Sequence, residues 1–206
     1  MPILLRGLCL LVALLAGACV SGSTAKTGLM AAVGDAAAAG RMVQLSADGR
    51  TIHFRGDVTY GTAQELLRLI KANPAVHEVH LTSNGGMVEP ALLVANAIQL
   101  RRATTFVPTT CVSACTFLFL GGQQRYLAPG AALGFHRAWQ SEPAFDGDVQ
   151  RVNAEIRVRF AERGIDDAFV ERAMATPGEQ LWYPSPEELQ AAGVIDGVSS
   201  AALLPR

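Results

Sequence analysis

Short apolar strands alternate with helices of one apolar face between residues 42 and 198, and the links between them are short. A strand, a helix and a second strand joined by short links form a crossover unit, whose two strands are parallel. The 206 residues suffice for one such domain with a sizeable core. The pattern therefore predicts an α/β fold, opened by a hairpin over residues 42–54 and followed by a helix with a Thr62–Glu65 capping box.

Three of the histidines lie on predicted strands. His77 and His80 alternate with apolar residues, so we expect both rings to face solvent, and His53 occupies a similar place on the hairpin. These histidines and the few cysteines lack the spacing of a zinc site. We therefore expect no metal and no other cofactor.

The N-terminus has the layout of an export signal. Arg6 precedes an apolar stretch of about ten residues, which is too short for a comfortable membrane span, and small residues follow up to Cys19. We predict a signal peptide over residues 1–18 with lipoprotein-type cleavage before Cys19, a flexible tether over residues 19–40 and one domain over residues 41–206. The protein would then be lipid-anchored in the cell envelope, on the periplasmic side. A soluble secreted or periplasmic protein and an uncleaved anchor stay open.

The net charge and the number of cysteines limit which partners and which cellular compartment are plausible for this chain. The net charge is −1 and no run of like charges occurs, so nothing supports binding to nucleic acid through a basic surface. Cleavage would remove Cys9 with the signal, and acylation would occupy Cys19. Cys111 and Cys115 would then remain as a possible pair in an oxidising compartment.

Three short segments could carry chemistry. The glycine turn at residues 83–86 lets the backbone approach a ligand, although it would also serve as an ordinary tight turn. Ser113 begins a helix predicted over residues 113–120, where it could expose its hydroxyl as a nucleophile or act only as an N-cap. His136 ends an apolar strand, where it could accept a proton from a neighbouring serine or be a structural histidine.

Four segments occur in an order and spacing that resemble one protein family. They are the glycine turn SNGGMVEPALLVANAI, then CVSACTFLFLGG, QRYLAPGAALGFHRA and SPEELQAAGVIDGV. From Ile52 to Val198 the chain resembles the group of the Clp protease proteolytic subunit and signal peptide peptidase A, and within it the exported members described as predicted periplasmic proteins. The resemblance implies the ClpP/crotonase fold, a spiral of repeated β-β-α units with helices on the outside.

The resemblance also implies a role for residues in these segments. Ser113 would be the nucleophile, and His136, which follows Arg125 at the family's spacing, would be the general base. The backbone N–H groups of Gly86 and Ala114 would form an oxyanion hole.

The cysteines that flank the serine allow several interpretations. Cys115 falls two residues into the predicted helix, so its side chain should turn away from Ser113 into the core. Cys111 ends the preceding strand. A disulfide between the two cysteines would fix the turn that contains Ser113 if their Cα atoms lie within about 7 Å. Free cysteines, and a cysteine nucleophile in place of the serine, stay open.

One position departs from the family's pattern. The family places a triad aspartate shortly before the last helix, and here the aligned position falls near Leu181, which is not an acid. Glu179 is the nearest carboxylate and could orient His136 after a small shift of the loop. A Ser–His dyad and an inactive site are the alternatives.

The resemblance implies an exported serine hydrolase, most simply a peptidase that acts on small peptides or unfolded segments. It also implies a homo-oligomer with its sites on an inner surface, without the ATPase partner of cytoplasmic Clp proteases. The main alternative is a non-catalytic binding or scaffold protein of the cell envelope, which the missing aspartate favours. Acyl-CoA chemistry of the crotonase kind is a third interpretation, disfavoured because CoA substrates are cytosolic.

Overall fold

The computed structural model describes residues 39–40, 42–139 and 146–203. The predicted signal peptide, Cys19 and all but the last two residues of the predicted tether lie outside the described residues. Among the helices of the described ranges, none is both long and apolar enough to cross a membrane.

The described chain alternates strands and helices as the pattern predicts. The strands are β1 Val43–Leu45, β2 Thr51–Arg55, β3 Glu78–Thr82, β4 Thr104–Val107, β5 Thr110–Val112, β6 Arg125–Leu127, β7 Ala132–Gly134 and β8 Gly197–Val198. The helices are α1 Tyr60–Ala72, α2 Val88–Arg101, α3 Cys115–Leu120, α4 Asp146–Glu162, α5 Asp167–Ala175 and α6 Pro186–Ala191. A 3₁₀ turn, Ala201–Leu203, follows β8.

Within the described residues, six strands form one sheet in the order β1-β2-β3-β4-β6-β8. β1 and β2 form the predicted antiparallel hairpin, in which Val43 pairs with Phe54. Each later pair in this sheet is parallel, as helical crossovers require. β5 and β7 form a second, smaller parallel layer, and the α/β prediction is confirmed.

Each crossover unit contributes to both layers. β4 enters the main sheet, β5 the small layer, and α3 follows; β6, β7 and α4 repeat this order. Earlier in the chain, Ser83 bridges to Cys111 and Gly86 bridges to Val58, both in parallel, so the residues after β2 and β3 continue the small layer. The chain is therefore a spiral of β-β-α units.

The core lies between the main sheet and its helices. Ile52 and Phe54 of β2 and Leu81 of β3 are fully buried, and they share this core with Leu66 of α1 and Leu118 of α3. Complete burial of such a side chain is worth about 1.5–3 kcal/mol. Because alternate residues of β2 must enter this core, the register of β2 against β3 is set, and with it the position of the turn that follows β3.

The predicted Thr62–Glu65 capping box is wrong, because α1 begins earlier. Thr59 is the N-cap: its hydroxyl accepts from the Thr62 N–H, and the Thr62 hydroxyl accepts from the Thr59 N–H in return. A threonine hydroxyl at the third helical position serves here as a glutamate would. Glu65 instead pairs with Arg68 on the helix surface at 2.7 Å.

The prediction that His80 faces solvent is also wrong. His80 is 9% exposed and lies between the rings of His53 and Phe106, with ring centroids 5.0 and 4.9 Å away. Its Nε2 is 2.9 Å from a carboxylate oxygen of Glu78. β3 lies between β2 and β4, so large side chains on both neighbouring strands cover the ring. His77, before the strand, keeps 38% of its side chain exposed.

Gly121, at the end of α3, should tolerate no side chain. A Cβ there would lie 2.6 Å from the carbonyl oxygen of Ala95 in α2, although the backbone of Gly121 is right-handed helical. We expect Gly121→Ala to lower the free energy of unfolding by about 1–3 kcal/mol, measured by urea denaturation. Gly61→Ala is the matched control, because its Cβ would meet nothing closer than 3.8 Å. An unchanged midpoint for Gly121→Ala would contradict this packing.

Candidate active site

Three chain segments meet at one edge of the small layer. Ser83 continues β3 and bridges to Cys111 of β5, and β5 pairs with β7 in parallel. Because parallel strands end at the same edge, the glycine turn after Ser83, Ser113 after β5 and His136 after β7 are brought together. The register of this layer thus assembles the three segments that the sequence singles out.

Ser113 lies in a sharp turn in front of α3 and contacts His136. Its Oγ is 2.6 Å from His136 Nε2, and its own N–H donates to the Gly134 carbonyl at 2.9 Å. Its φ is +55°, a left-handed conformation that is uncommon for any residue with a side chain. α3 begins only at Cys115, so Ser113 is neither helical nor its N-cap. The turn aims the hydroxyl away from the strand and toward the imidazole.

A disulfide joins the two ends of this turn. Cys111, in β5, and Cys115, the first residue of α3, have their Cα atoms 5.3 Å apart and their sulfurs bonded. Both residues are fully buried. This bonding leaves neither sulfur available as a thiolate nucleophile.

His136 is half-buried, and its second nitrogen is isolated. Burial lowers the pKa of His136 below its ordinary value, while the Gly178 carbonyl and the Glu179 carboxylate act in the opposite direction. Nδ1 itself is buried and has no hydrogen-bond partner within the described residues. The lowered pKa keeps the ring neutral, and therefore able to accept a proton at Nε2, at a lower pH than an ordinary histidine.

The glycine turn packs directly against the turn that contains Ser113. A Cβ on Gly85, whose φ is +99°, would lie 2.6 Å from the Ser113 Cβ and 3.1 Å from the Ala114 nitrogen. A Cβ on Gly86, at φ +136°, would clash with the carbonyl of Val58. Only glycine satisfies both the backbone conformation and the close approach.

Two backbone donors in this region are unpaired. The N–H groups of Gly86 and Ala114 donate no hydrogen bond within the described part of the chain, whereas their neighbours Gly85 and Met87 donate to Ser83 and Val58. Unpaired N–H groups beside a nucleophile are the donors that an oxyanion hole requires.

No carboxylate contacts His136 within the described residues. Glu179 is exposed, makes no hydrogen bond to the ring, and influences it only through its charge. The backbone of Gly178 acts on the pKa of the ring, and Gly178 lies three residues before Leu181, the position that aligns with the family's aspartate. Trp139 packs against Gly178, so that a Cβ on Gly178 would clash with the Trp139 side chain.

An aromatic cluster, which the sequence analysis did not identify, supports the strand end that carries His136. Phe135 contacts Phe169 edge-on, with the ring centroids 5.1 Å apart. Phe135 also exchanges two 2.9 Å backbone hydrogen bonds with Trp182. Phe169 and Trp182 are themselves 4.8 Å apart, and the Arg172 guanidinium covers Trp182 at 4.3 Å. This packing holds the strand residue directly before His136. In the sequence, these aromatic residues carry no shared motif.

A narrow apolar pocket opens beside the Ser113 hydroxyl, with a cavity volume of about 20 Å³, which is room for about one water molecule. Its wall combines both catalytic candidates with residues from four helices, of which Val88, Phe117, Ile156 and Phe160 are the larger apolar ones. Ile156 and Phe160 lie four residues apart on the buried face of α4. Tertiary packing turns part of that face toward the serine.

The groups assembled here are a hydroxyl, an imidazole and two backbone donors. Such a set can perform acyl transfer to serine, with the hydroxyl as nucleophile and the imidazole as proton acceptor. Neither at this site nor elsewhere in the described ranges are three His, Cys, Asp or Glu side chains grouped so as to hold a metal ion.

Comparisons with known proteins establish the fold. No family model matches the sequence, and no curated protein is significantly similar to it. A solved structure of a point mutant of ClpP1 from Listeria monocytogenes is similar with a TM-score of 0.63, covering 74% of this chain and 92% of that chain at 15% sequence identity. At this identity the likeness concerns the fold and not the activity. The chain has a ClpP/crotonase-like α/β fold.

Proposed function

We propose that this chain is an exported serine hydrolase of the peptidase type, with Ser113 as nucleophile and His136 as general base. The observation that carries the proposal is the 2.6 Å contact between the Ser113 Oγ and His136 Nε2 at the mouth of an apolar pocket. General-base activation of a hydroxyl requires a contact of this length. The ClpP-like fold is compatible with a peptidase.

The proposed reaction uses four groups of the site. Ser113 Oγ bonds to the substrate's carbonyl carbon while its proton passes to His136 Nε2. The carbonyl oxygen becomes an oxyanion and accepts hydrogen bonds from the N–H groups of Gly86 and Ala114. Collapse of this intermediate breaks the bond to the leaving amine, which takes the proton from Nε2. Water then hydrolyses the acyl-serine with the same imidazole as base.

The charged imidazole formed in this reaction receives little stabilisation. In a serine–histidine–aspartate site the carboxylate fixes the tautomer and stabilises the imidazolium, and part of the catalysis survives without it. The Gly178 carbonyl and the Glu179 charge act in the same sense here, but more weakly. We therefore propose a Ser–His dyad with slow turnover.

The apolar pocket supports a substrate class. It adjoins Ser113, is narrow and is walled by aliphatic and aromatic side chains, so it would accept a small apolar side chain on the acyl side of the cleaved bond. Small peptides or unfolded segments fit this requirement, because such a side chain must be free to enter. A Clp-type ATPase is not part of the proposal.

Export and assembly belong to the same proposal. The N-terminal pattern supports a signal peptide ending before a lipid-bearing Cys19, and so a location on the periplasmic side of the cell envelope. The Cys111–Cys115 disulfide suits an oxidising compartment. The ClpP-like fold supports a homo-oligomer.

A second candidate function is a non-catalytic binding protein of the cell envelope. The observation that favours it is the buried Nδ1 of His136, which no carboxylate contacts in the described part of the chain. In that case the apolar pocket would bind a peptide side chain without cleaving it.

Labelling by a fluorophosphonate distinguishes the two functions. We expect the full-length wild type to be labelled, and Ser113→Ala and His136→Ala to lose labelling by at least about 100-fold, because one removes the nucleophile and the other its base. Ser200→Ala, at an exposed position, is the control and should label normally. Equal labelling of wild type and Ser113→Ala, or none of either folded protein, would exclude the hydrolase.

The pH dependence of labelling reports the state of His136. The reactive ring is neutral, so the rate should fall as the pH drops through the His136 pKa, with a midpoint below the ordinary 6.5. Glu179→Gln removes a group that raises this pKa, so the midpoint should move lower still. Glu179 is exposed, so the rate at pH 8 should change less than about threefold. A midpoint above 6.5 would contradict the burial effect.

Narrowing the pocket should change the preference for the acyl side chain. Val88 is half-buried at the start of α2 and lines the pocket, so Val88→Phe should lower kcat/KM for an alanyl substrate relative to a glycyl one by about tenfold or more. Leu93→Phe, on the exposed side of the same helix, is the matched control and should not alter the ratio. An unchanged ratio in Val88→Phe would exclude this pocket as the specificity site.

A further inference from the structure

The disulfide encloses the candidate nucleophile. Cys111 and Cys115 bracket Ser113 symmetrically, so the bond closes a five-residue ring with the serine at its centre. One end of the ring belongs to β5 and the other to α3. The bond therefore ties the strand to the helix across the turn that presents the hydroxyl.

The backbone at the centre of this ring is in a disfavoured conformation. Among the described residues other than glycine, only Ser113 and Arg102 have positive φ, and Arg102 merely ends a helix. A residue with a Cβ prefers the right-handed region. Relaxation of Ser113 toward that region would rotate its Oγ away from His136 Nε2.

Hydrogen bonds hold the two sides of the turn separately. On the strand side, the Val112 N–H donates to Ser83 and the Ser113 N–H donates to Gly134. On the helix side, Thr116 donates through both its N–H and its hydroxyl to the Ser113 carbonyl.

The peptide between Ser113 and Ala114 is hydrogen-bonded on one side only, since its carbonyl accepts both bonds from Thr116. Ala114 donates no hydrogen bond in the described region, and its N–H is a proposed oxyanion donor. Gly85 packs against the same peptide and allows it little room. The disulfide adds a second covalent link, beside the main chain, across this peptide.

We infer that Cys111 and Cys115, through their disulfide, are positioning residues that hold Ser113 and the Ala114 N–H in their reactive arrangement, so that the oxidised chain is the active form. This inference rests on the proposed hydrolase function. The reduced chain would keep its fold, since the side chains of Cys111 and Cys115 would still fill their places in the core as thiols. Its hydroxyl would contact His136 for only part of the time.

Formation of the bond is a thiol–disulfide exchange. The two thiols give up two protons and two electrons to a disulfide oxidant, whose own S–S bond breaks to two thiols while the Cys111–Cys115 bond forms. Reducing compartments disfavour this step, and oxidising ones favour it. The chain would therefore gain activity only after it leaves a reducing compartment.

The test compares the full chain with and without the bond. Cys111→Ala/Cys115→Ala should keep its circular dichroism spectrum and lose labelling rate by about 10- to 100-fold, as expected when a nucleophile is misplaced. With a peptide ester, kcat should fall while KM stays unchanged, because the pocket is intact. Leu66→Ala, a buried residue of α1, is the matched control: it lowers stability and should leave the labelling rate unchanged.

A second measurement uses the wild type, in case the double variant does not fold. A phosphine reduces the protein, mass spectrometry counts the two thiols, and glutathione disulfide then re-forms the bond. We expect the labelling rate to fall on reduction and to return on oxidation. If wild type labels through Ser113 at equal rates in both states, the inference fails and the hydrolase stands. If labelling never depends on Ser113, both fail.

Discussion

The parallel pairing of the small layer is the constraint on which the site depends. Backbone hydrogen bonds from Val112 to Ser83 and from Ser113 to Gly134 place three chain segments side by side. Their ends deliver a glycine turn, a nucleophile and a base to one edge, although they are far apart in the sequence. A slip of one residue in β5 would turn Ser113 to the opposite face and separate it from His136.

Tight backbone packing and sparse charge stabilisation characterise this site. Gly85 approaches Ser113 so closely that no side chain fits between the turns, and the Cys111–Cys115 bond closes the other side. In contrast, His136 Nδ1 has no partner in the described part of the chain. Positioning of the reactants, rather than stabilisation of a charged imidazole, is therefore the larger contribution that this geometry offers to a rate.

Periodicity was sufficient where each residue's environment is local. The hairpin predicted over residues 42–54 forms between β1 and β2, because an alternating strand has one way to bury its apolar side. Periodicity gave a wrong prediction where neighbouring elements decide whether a side chain is buried or how a helix is capped. His80 looked exposed from its own strand, but β2 and β4 cover it, and α1 uses Thr59 and Thr62 as its cap because a hydroxyl can replace a carboxylate.

The sequence by itself determined the α/β class and, through the resemblance of its motifs, the pairing of Ser113 with His136. The class follows from the periodicity of apolar residues, whereas the pairing is what the resemblance of the four segments to the family implies. Only the tertiary structure decided that Ser113 is left-handed, that Gly178 faces the imidazole, and that four helices wall the pocket beside the hydroxyl. These features arise from close packing between segments distant in the chain, which spacing along one strand or helix does not encode.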